Sequence, residues 1–202
     1  MILPSPTAPL GSVAHLRDWS PATFVPSDAI LCRVTAPLIR TAFQLLRANV
    51  VCYVLGKDIA AGLTTQIKKF RATSRDDLIA KITQWRDREV ETLESRKRFS
   101  AASTISDRAE CLLIFATKAH DGPESAIALI TKLFADGHGV TLATVHKAKG
   151  LEWNRVFILD RAKYMPSKFA TQGWQKEQEM NIIYVAITRA QVDLCYIESK
   201  ES

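Results

Sequence analysis

The chain has 202 residues, 27 Lys+Arg against 21 Asp+Glu, and a formal net charge of +6. It is 47% hydrophobic and 24% charged, with only 8 Gly and 8 Pro, which excludes collagen-like, low-complexity and wholly disordered chains. The length fits one large domain, or one domain carrying an insertion.

No apolar run approaches the roughly 18 residues that a membrane span needs. The opening MILPSPTAPLGS has no basic stretch and is broken by prolines, so it does not read as a signal peptide. Cys32, Cys52, Cys111 and Cys195 lie far apart, three of them inside apolar runs. They read as buried free thiols of a reducing, cytoplasmic setting rather than a disulfide or zinc framework, and no metal site is expected. The positive balance makes a polyanionic partner worth testing.

Five of the eight prolines fall within residues 1–26, so residues 1–27 read as an irregular lead-in whose one candidate helical piece, 13–19, is short. Order begins at Asp28. Residues 29–34 form a short apolar run, and residues 50–55 a β-branched one. Between them Pro37, Leu38, Phe43, Leu45 and Leu46 predict a helix. Strand, helix and strand at this spacing imply a βαβ unit and a parallel sheet. Residues 57–136 switch to helical periodicity, with helices expected over 76–93, 107–118 and 124–134. The one competing strand signal there is 112–115. This stretch reads as a helical insertion. Strand character returns at 140–145, 156–159 and 192–197. Residues 177–190 predict a helix, with Met180, Ile183, Tyr184 and Ile187 on one face.

Two late segments carry chemistry. Strand alternation over 140–146 puts Thr144 and His146 on one side, at a strand's C-terminal end, where open α/β sheets bind ligands. A hydroxyl, an imidazole, Lys147 and Lys149 there could hold a phosphate backbone. Gly150 permits a tight turn with close approach by a phosphate or sugar, and Glu152 could accept hydrogen bonds from a ribose. The same residues also fit a polar surface loop after a buried strand, with Lys147 simply solvated. In the second segment Tyr184 reads as packing. Arg189 closes the helix, either as a charge for a transferring phosphoryl group or as a solvated helix-end arginine.

Together these segments, TVHKAKGLEW (144–153) and EMNIIYVAITRA (179–190), resemble the fifth and sixth motifs of UvrD/Rep-like superfamily 1 DNA helicases. DAILCRVTAPLIRTAF (28–43) resembles the start of that family's second RecA-like domain, and VLGKDIAAGLTTQIKKF (54–70) the passage into its accessory subdomain. The resemblance covers about residues 28–198. It implies a RecA-like α/β fold, formed by 28–56 and 137–202, with 57–136 as a small accessory subdomain. In such helicases ATP sits between two RecA-like domains and cleft closure moves the motor along single-stranded DNA. The resemblance implies that Arg189 reaches the γ-phosphate, that Glu152 with Gly150 meets the nucleotide sugar, and that Thr144 and His146 lie against the DNA backbone with Lys149 beside them. DNA repair is the usual family setting.

Several family parts have no counterpart here. The phosphate loop G-x-x-x-x-G-K-S/T is absent: the only Gly-Lys pair, Gly56-Lys57, is followed by Asp58. No apolar strand ends in paired acids for magnesium, and the Tyr-Arg nucleotide motif is missing. ATP and Mg2+ would therefore be held mainly by an N-terminal RecA-like half, in cis or in trans, and the chain alone is not expected to hydrolyse ATP. Residues 68–98 hold ten Lys/Arg and six Asp/Glu, a local excess of four that reads either as solvated helix faces or as a DNA backbone track. The reading is the C-terminal half of an ATP-dependent DNA helicase. The alternative is a non-catalytic nucleic-acid-binding or interaction module derived from one.

Overall fold

A computed structural model describes residues 10–199. In chain order the elements are β1 (Ser12–Leu16), a 3-10 turn (Pro21–Thr23), β2 (Ala29–Cys32), α1 (Ala36–Arg47) and β3 (Cys52–Val54). Four helices follow: α2 (Lys57–Phe70), α3 (Arg75–Ser95), α4 (Phe99–Lys118) and α5 (Pro123–Leu133). The chain then returns through β4 (Val140–Thr144), β5 (Trp153–Leu159), α6 (Arg161–Tyr164), α7 (Gly173–Ile187) and β6 (Ala190–Ile197).

The strands form one sheet in the order β1-β6-β5-β2-β4-β3, every pairing parallel. This is the expected α/β parallel-sheet architecture of the RecA-like kind. β2 lies inside the sheet and all four of its residues are fully buried, as a strand covered on both faces requires. One sheet face presents Ile30, Cys32, Leu142 and Phe157 to α1 and to α2–α5. The other presents Ala29, Leu31, Ala143, Val156 and Ile158 to α7 and to Val145 and Ala148. Leu63, Ile67, Leu78, Ile82, Leu112 and Ile130 of the inserted helices join the same apolar cluster as Leu38 and Leu45 of α1. Among the described residues no helix is long and apolar enough to cross a membrane.

Two expectations need correction, and one open alternative is decided. The lead-in is not irregular throughout: residues 12–16 pair with β6, and Ser12 Oγ donates to Asp193 Oδ1 at 2.6 Å. Trp19 and Phe24 are buried, and Phe24 packs edge-on against Phe157. Nothing local predicts this strand, because its pairing partner lies some 180 residues away. The rest of the expected lead-in, residues 1–9, lies outside the described residues. Second, residues 112–115 are helical, which decides their competing strand signal in favour of the helix expected over 107–118. Ala109, Leu112 and Ala116 sit at helical spacing and are all buried, so the apolar run is a helix face. Third, of the face expected on α7, Ile183 is buried but Met180 and Tyr184 are more than half exposed. The residue that joins Ile183 and Ala186 inside is Glu179.

Candidate functional site

β4 ends at Thr144, and residues 145–150 are a turn rather than further strand. Thr144 O accepts from the amides of Lys147 (2.9 Å) and Ala148 (3.0 Å), which folds the chain over at once. His146 therefore lies in the turn and not in strand alternation with Thr144, as the sequence pattern suggested. Thr144 is nearly buried, and its hydroxyl lies 3.4 Å from the Lys147 amide. His146 and Lys149 are exposed.

The turn runs down one face of the sheet. Thr144 is level with Cys32, and Leu31 with Ile158. Trp153 thus starts β5 six residues below the level of Thr144, about 20 Å at roughly 3.3 Å per strand residue. A segment that is one motif in the sequence reaches opposite edges of the sheet. Thr144, His146 and Lys147 lie at the C-terminal edge of the strands. Gly150, Leu151 and Glu152 lie at the N-terminal edge.

At the N-terminal edge the two late motifs meet. The Trp153 amide donates to Arg189 O at 2.9 Å, and Trp153 pairs with Ala190. The Arg189 guanidinium donates to Val185 O (3.0 Å), Leu151 O (2.9 Å) and Thr188 Oγ1 (3.0 Å). All three acceptors are neutral, and Arg189 has no carboxylate partner within ion-pair distance among the described residues. Its positive charge is held in place without being cancelled. Glu152 is exposed and accepts from Gln191 Nε2 at 3.1 Å. Gly150 has φ +81°, a conformation that side chains resist, and a β-carbon there would meet nothing within 4 Å. The space above it is open.

At the C-terminal edge sits a polar cluster the sequence did not announce. Arg33, just after β2, donates to Glu179 Oε1 at 2.9 Å, and the Ser167 amide donates to Glu179 Oε2 at 2.9 Å. Burial pushes the Glu179 carboxyl up, but Arg33 and the Ser167 amide outweigh it and hold it below the usual carboxylate range. His146 faces this cluster. Burial, then Arg33, Lys149 and Lys147, lower its pKa, and only Glu179 opposes them. These influences shift the imidazole toward its neutral form. Lys147 is not simply solvated: its Nζ lies 2.8 Å from Asp58 in the first turn of α2. Asp107 of α4 accepts from the amides of Thr35 (3.0 Å) and Ala36 (2.9 Å), so a carboxylate caps the N-terminus of α1. Burial raises the Asp107 pKa despite those bonds. The only sequence signal for Glu179 was an acid in step with Ile183 and Ala186 on an amphipathic helix.

Among the described residues no three His, Cys, Asp or Glu side chains come together as a metal site would need. All four cysteines are free and buried.

Comparison with known proteins finds DNA helicases. DNA helicase II of Rickettsia typhi is 29% identical over 195 residues, 83% of this chain and 29% of that protein. F-box DNA helicase protein 1 of Schizosaccharomyces pombe is 29% identical over 156 residues, 75% of this chain and 16% of that protein. ATP-dependent DNA helicase UvrD2 of Mycobacterium tuberculosis is 44% identical over 61 residues, 28% of this chain and 9% of that protein. The chain spans less than a third of the length of each. The sequence profile described as the UvrD-like helicase C-terminal domain matches residues 63–201, from within α2 to the end of the sheet. With the parallel sheet and both late motifs in place, this chain belongs to the UvrD-like helicase C-terminal domain family.

Proposed function

We propose that the chain acts as the second RecA-like half of an ATP-dependent DNA helicase or translocase. The observation that carries this reading is Arg189, whose charge is anchored by neutral oxygens against the turn bearing Gly150 and Glu152. A guanidinium fixed in this way stabilises negative charge developing on a transferring phosphoryl group with little reorganisation. Glu152 accepts from the nucleotide sugar, and the open space over Gly150 admits it. ATP and Mg2+ would be held mainly by an N-terminal half in cis or in trans and would supply the phosphoanhydride and its charge neutralisation, with Arg189, Gly150 and Glu152 as this chain's contribution to the nucleotide site. Thr144, His146 and Lys149 hold the backbone of single-stranded or partly duplex DNA. The roughly 20 Å between the two edges lets closure around nucleotide at one edge be felt by DNA at the other. Residues 57–136 act as a small accessory subdomain, and the cytoplasm is the proposed setting.

The test is reconstitution. The chain is mixed with, or fused to, a helicase half that carries the phosphate loop, and DNA-stimulated ATP turnover is measured. Turnover appears only in the mixture, and Arg189→Ala lowers it about 1,000-fold while thermal melting shows an intact fold. Turnover by the chain alone, or wild-type turnover in the reconstituted Arg189→Ala variant, overturns the reading. Single-strand binding with no restored turnover favours the non-catalytic binding-module alternative.

A further inference from the structure

The charged stretch 68–98 resolves into three parts. Along α3 the charges pair among themselves: Lys81 with Asp77 (2.8 Å), Arg86 with Asp87 (2.7 Å) and Arg88 with Glu89 (3.3 Å). Arg96, Lys97 and Arg98, in the three-residue turn between α3 and α4, are exposed and form no ion pair among the described residues. Lys68, Lys69 and Arg71, at the end of α2, are also exposed and form no ion pair among the described residues, so the positive excess lies at two ends of the stretch, and the α3–α4 turn is one positive tip. That tip leads into Phe99, a large aromatic ring left 49% exposed.

Phe99 forms one wall of a groove of about 470 Å3 whose other wall is the segment after α6. Arg33, Ser103, Tyr164, Lys168 and Phe169 also line it. The Lys168 Nζ lies 5.2 Å from the centre of the Phe169 ring, and the Lys163 Nζ 5.3 Å from that of Tyr164. Along the wall that runs from α6, aromatic rings thus alternate with ammonium groups, and Phe99 supplies the ring of the facing wall. Two acids also line the groove. Asp107 has both oxygens engaged by the amides of Thr35 and Ala36, which leaves Glu94 as the only carboxylate not tied to a helix end. The groove continues into the C-terminal edge cluster, because Arg33 and Ser167, both in its lining, are bonded to Glu179, beside His146.

We propose that this groove is a stacking track for unpaired nucleobases, with Phe99 and Phe169 as the platforms, Lys168 as the phosphate contact inside it, and Arg96, Lys97 and Arg98, outside its lining but next to Phe99 in the chain, as phosphate contacts at its mouth. Alternating rings and cations are the chemistry of single-strand recognition without sequence preference. A duplex, whose bases are already stacked, cannot use the rings. This inference rests on the DNA reading given above but assigns residues outside the two late motifs.

Binding of a dye-labelled oligothymidylate to the full chain is followed by fluorescence anisotropy across a salt series. Phe99→Ala and Phe169→Leu are each expected to weaken binding about fivefold or more. Leucine keeps the half-buried packing of Phe169 while removing the stacking face. The triple change Arg96→Gln, Lys97→Gln, Arg98→Gln is expected to flatten the salt slope by about 2. Binding that His146→Ala weakens but the two phenylalanine variants leave within twofold overturns the groove and spares the DNA reading. No salt-dependent binding by the wild-type chain overturns both. Equal affinity for a duplex of the same length, or equal competition by polyglutamate, reduces the groove to a general anion surface and overturns the stacking claim.

Discussion

Removing the carboxylate of Glu179 is the sharpest test of how the C-terminal edge is held. The residue is 6% exposed, while the side chain of its partner Arg33 is 26% exposed. Glu179→Ala strands one guanidinium and the Ser167 amide, which lose bonds of 2.9 Å each. Breaking a fully buried pair costs about 3–5 kcal/mol, and access of water to Arg33 lowers that to roughly 2–3 kcal/mol. For a domain of this size each kcal/mol lowers Tm by about 2–4 °C, so a fall of roughly 5–10 °C is expected. Glu179→Gln keeps the shape and one acceptor oxygen and costs about half as much. Urea denaturation followed by circular dichroism measures the change, with an unchanged m-value showing that compactness is preserved. The double variant Arg33→Leu, Glu179→Leu regains part of the loss, because neither charge is then left unpaired. A Glu179→Ala variant within about 0.5 kcal/mol of wild type refutes the reasoning, as does a double variant whose cost is the full sum of the singles.

His146 and the thiols give two further predictions. The folded pKa of His146 lies below the ordinary 6.5. Its contribution to stability is therefore present above pH 6.5 and is lost as pH falls through the lower folded value. An NMR titration should find its midpoint below 6.5, lower still in Glu179→Gln, and raised by saturating oligonucleotide. A midpoint that DNA leaves unmoved counts against a phosphate beside the ring. Burial pushes the thiols of Cys32 and Cys52 up to about 12, and also raises those of Cys111 and Cys195. In the native protein near pH 8 all four should react slowly with an aromatic disulfide reagent, and all at once on unfolding. Rapid labelling of any one in the native state contradicts the packing described.

The buried strands were legible in the sequence. Residues 29–32 and 140–144 are apolar and bounded by helix-start or turn residues, so their burial follows from their own chemistry. β1 was not legible, because its side chains are mostly exposed and its stability comes from backbone pairing with β6. α3 shows the same limit from the other side. The stretch 68–98 read either as solvated helix faces or as a basic track, but acids outnumber bases on α3 itself and leave the excess on Lys68, Lys69 and Arg71 before it and on Arg96, Lys97 and Arg98 after it. Periodicity also misjudged α7. It marked Met180 and Tyr184 as core, whereas the helix turns Glu179 inward, where Arg33 from a distant loop satisfies it.

The candidate site divides in the same way. Thr144, His146, Lys149, Gly150, Glu152 and Arg189 were nameable from two local motifs, because each motif is contiguous and its residue types fit phosphate and sugar chemistry. Local order along the chain set five of the six strands described, most of the helices and the family. Only the tertiary structure decided that Gly150, Glu152 and Arg189 share one sheet edge while Thr144 and His146 hold the other. It alone made Glu179 a partner for Arg33 and opened a groove between Phe99 and Phe169. The physical reason is that parallel pairing joins strands far apart in sequence. The register between them, which no local pattern encodes, sets which side chains meet.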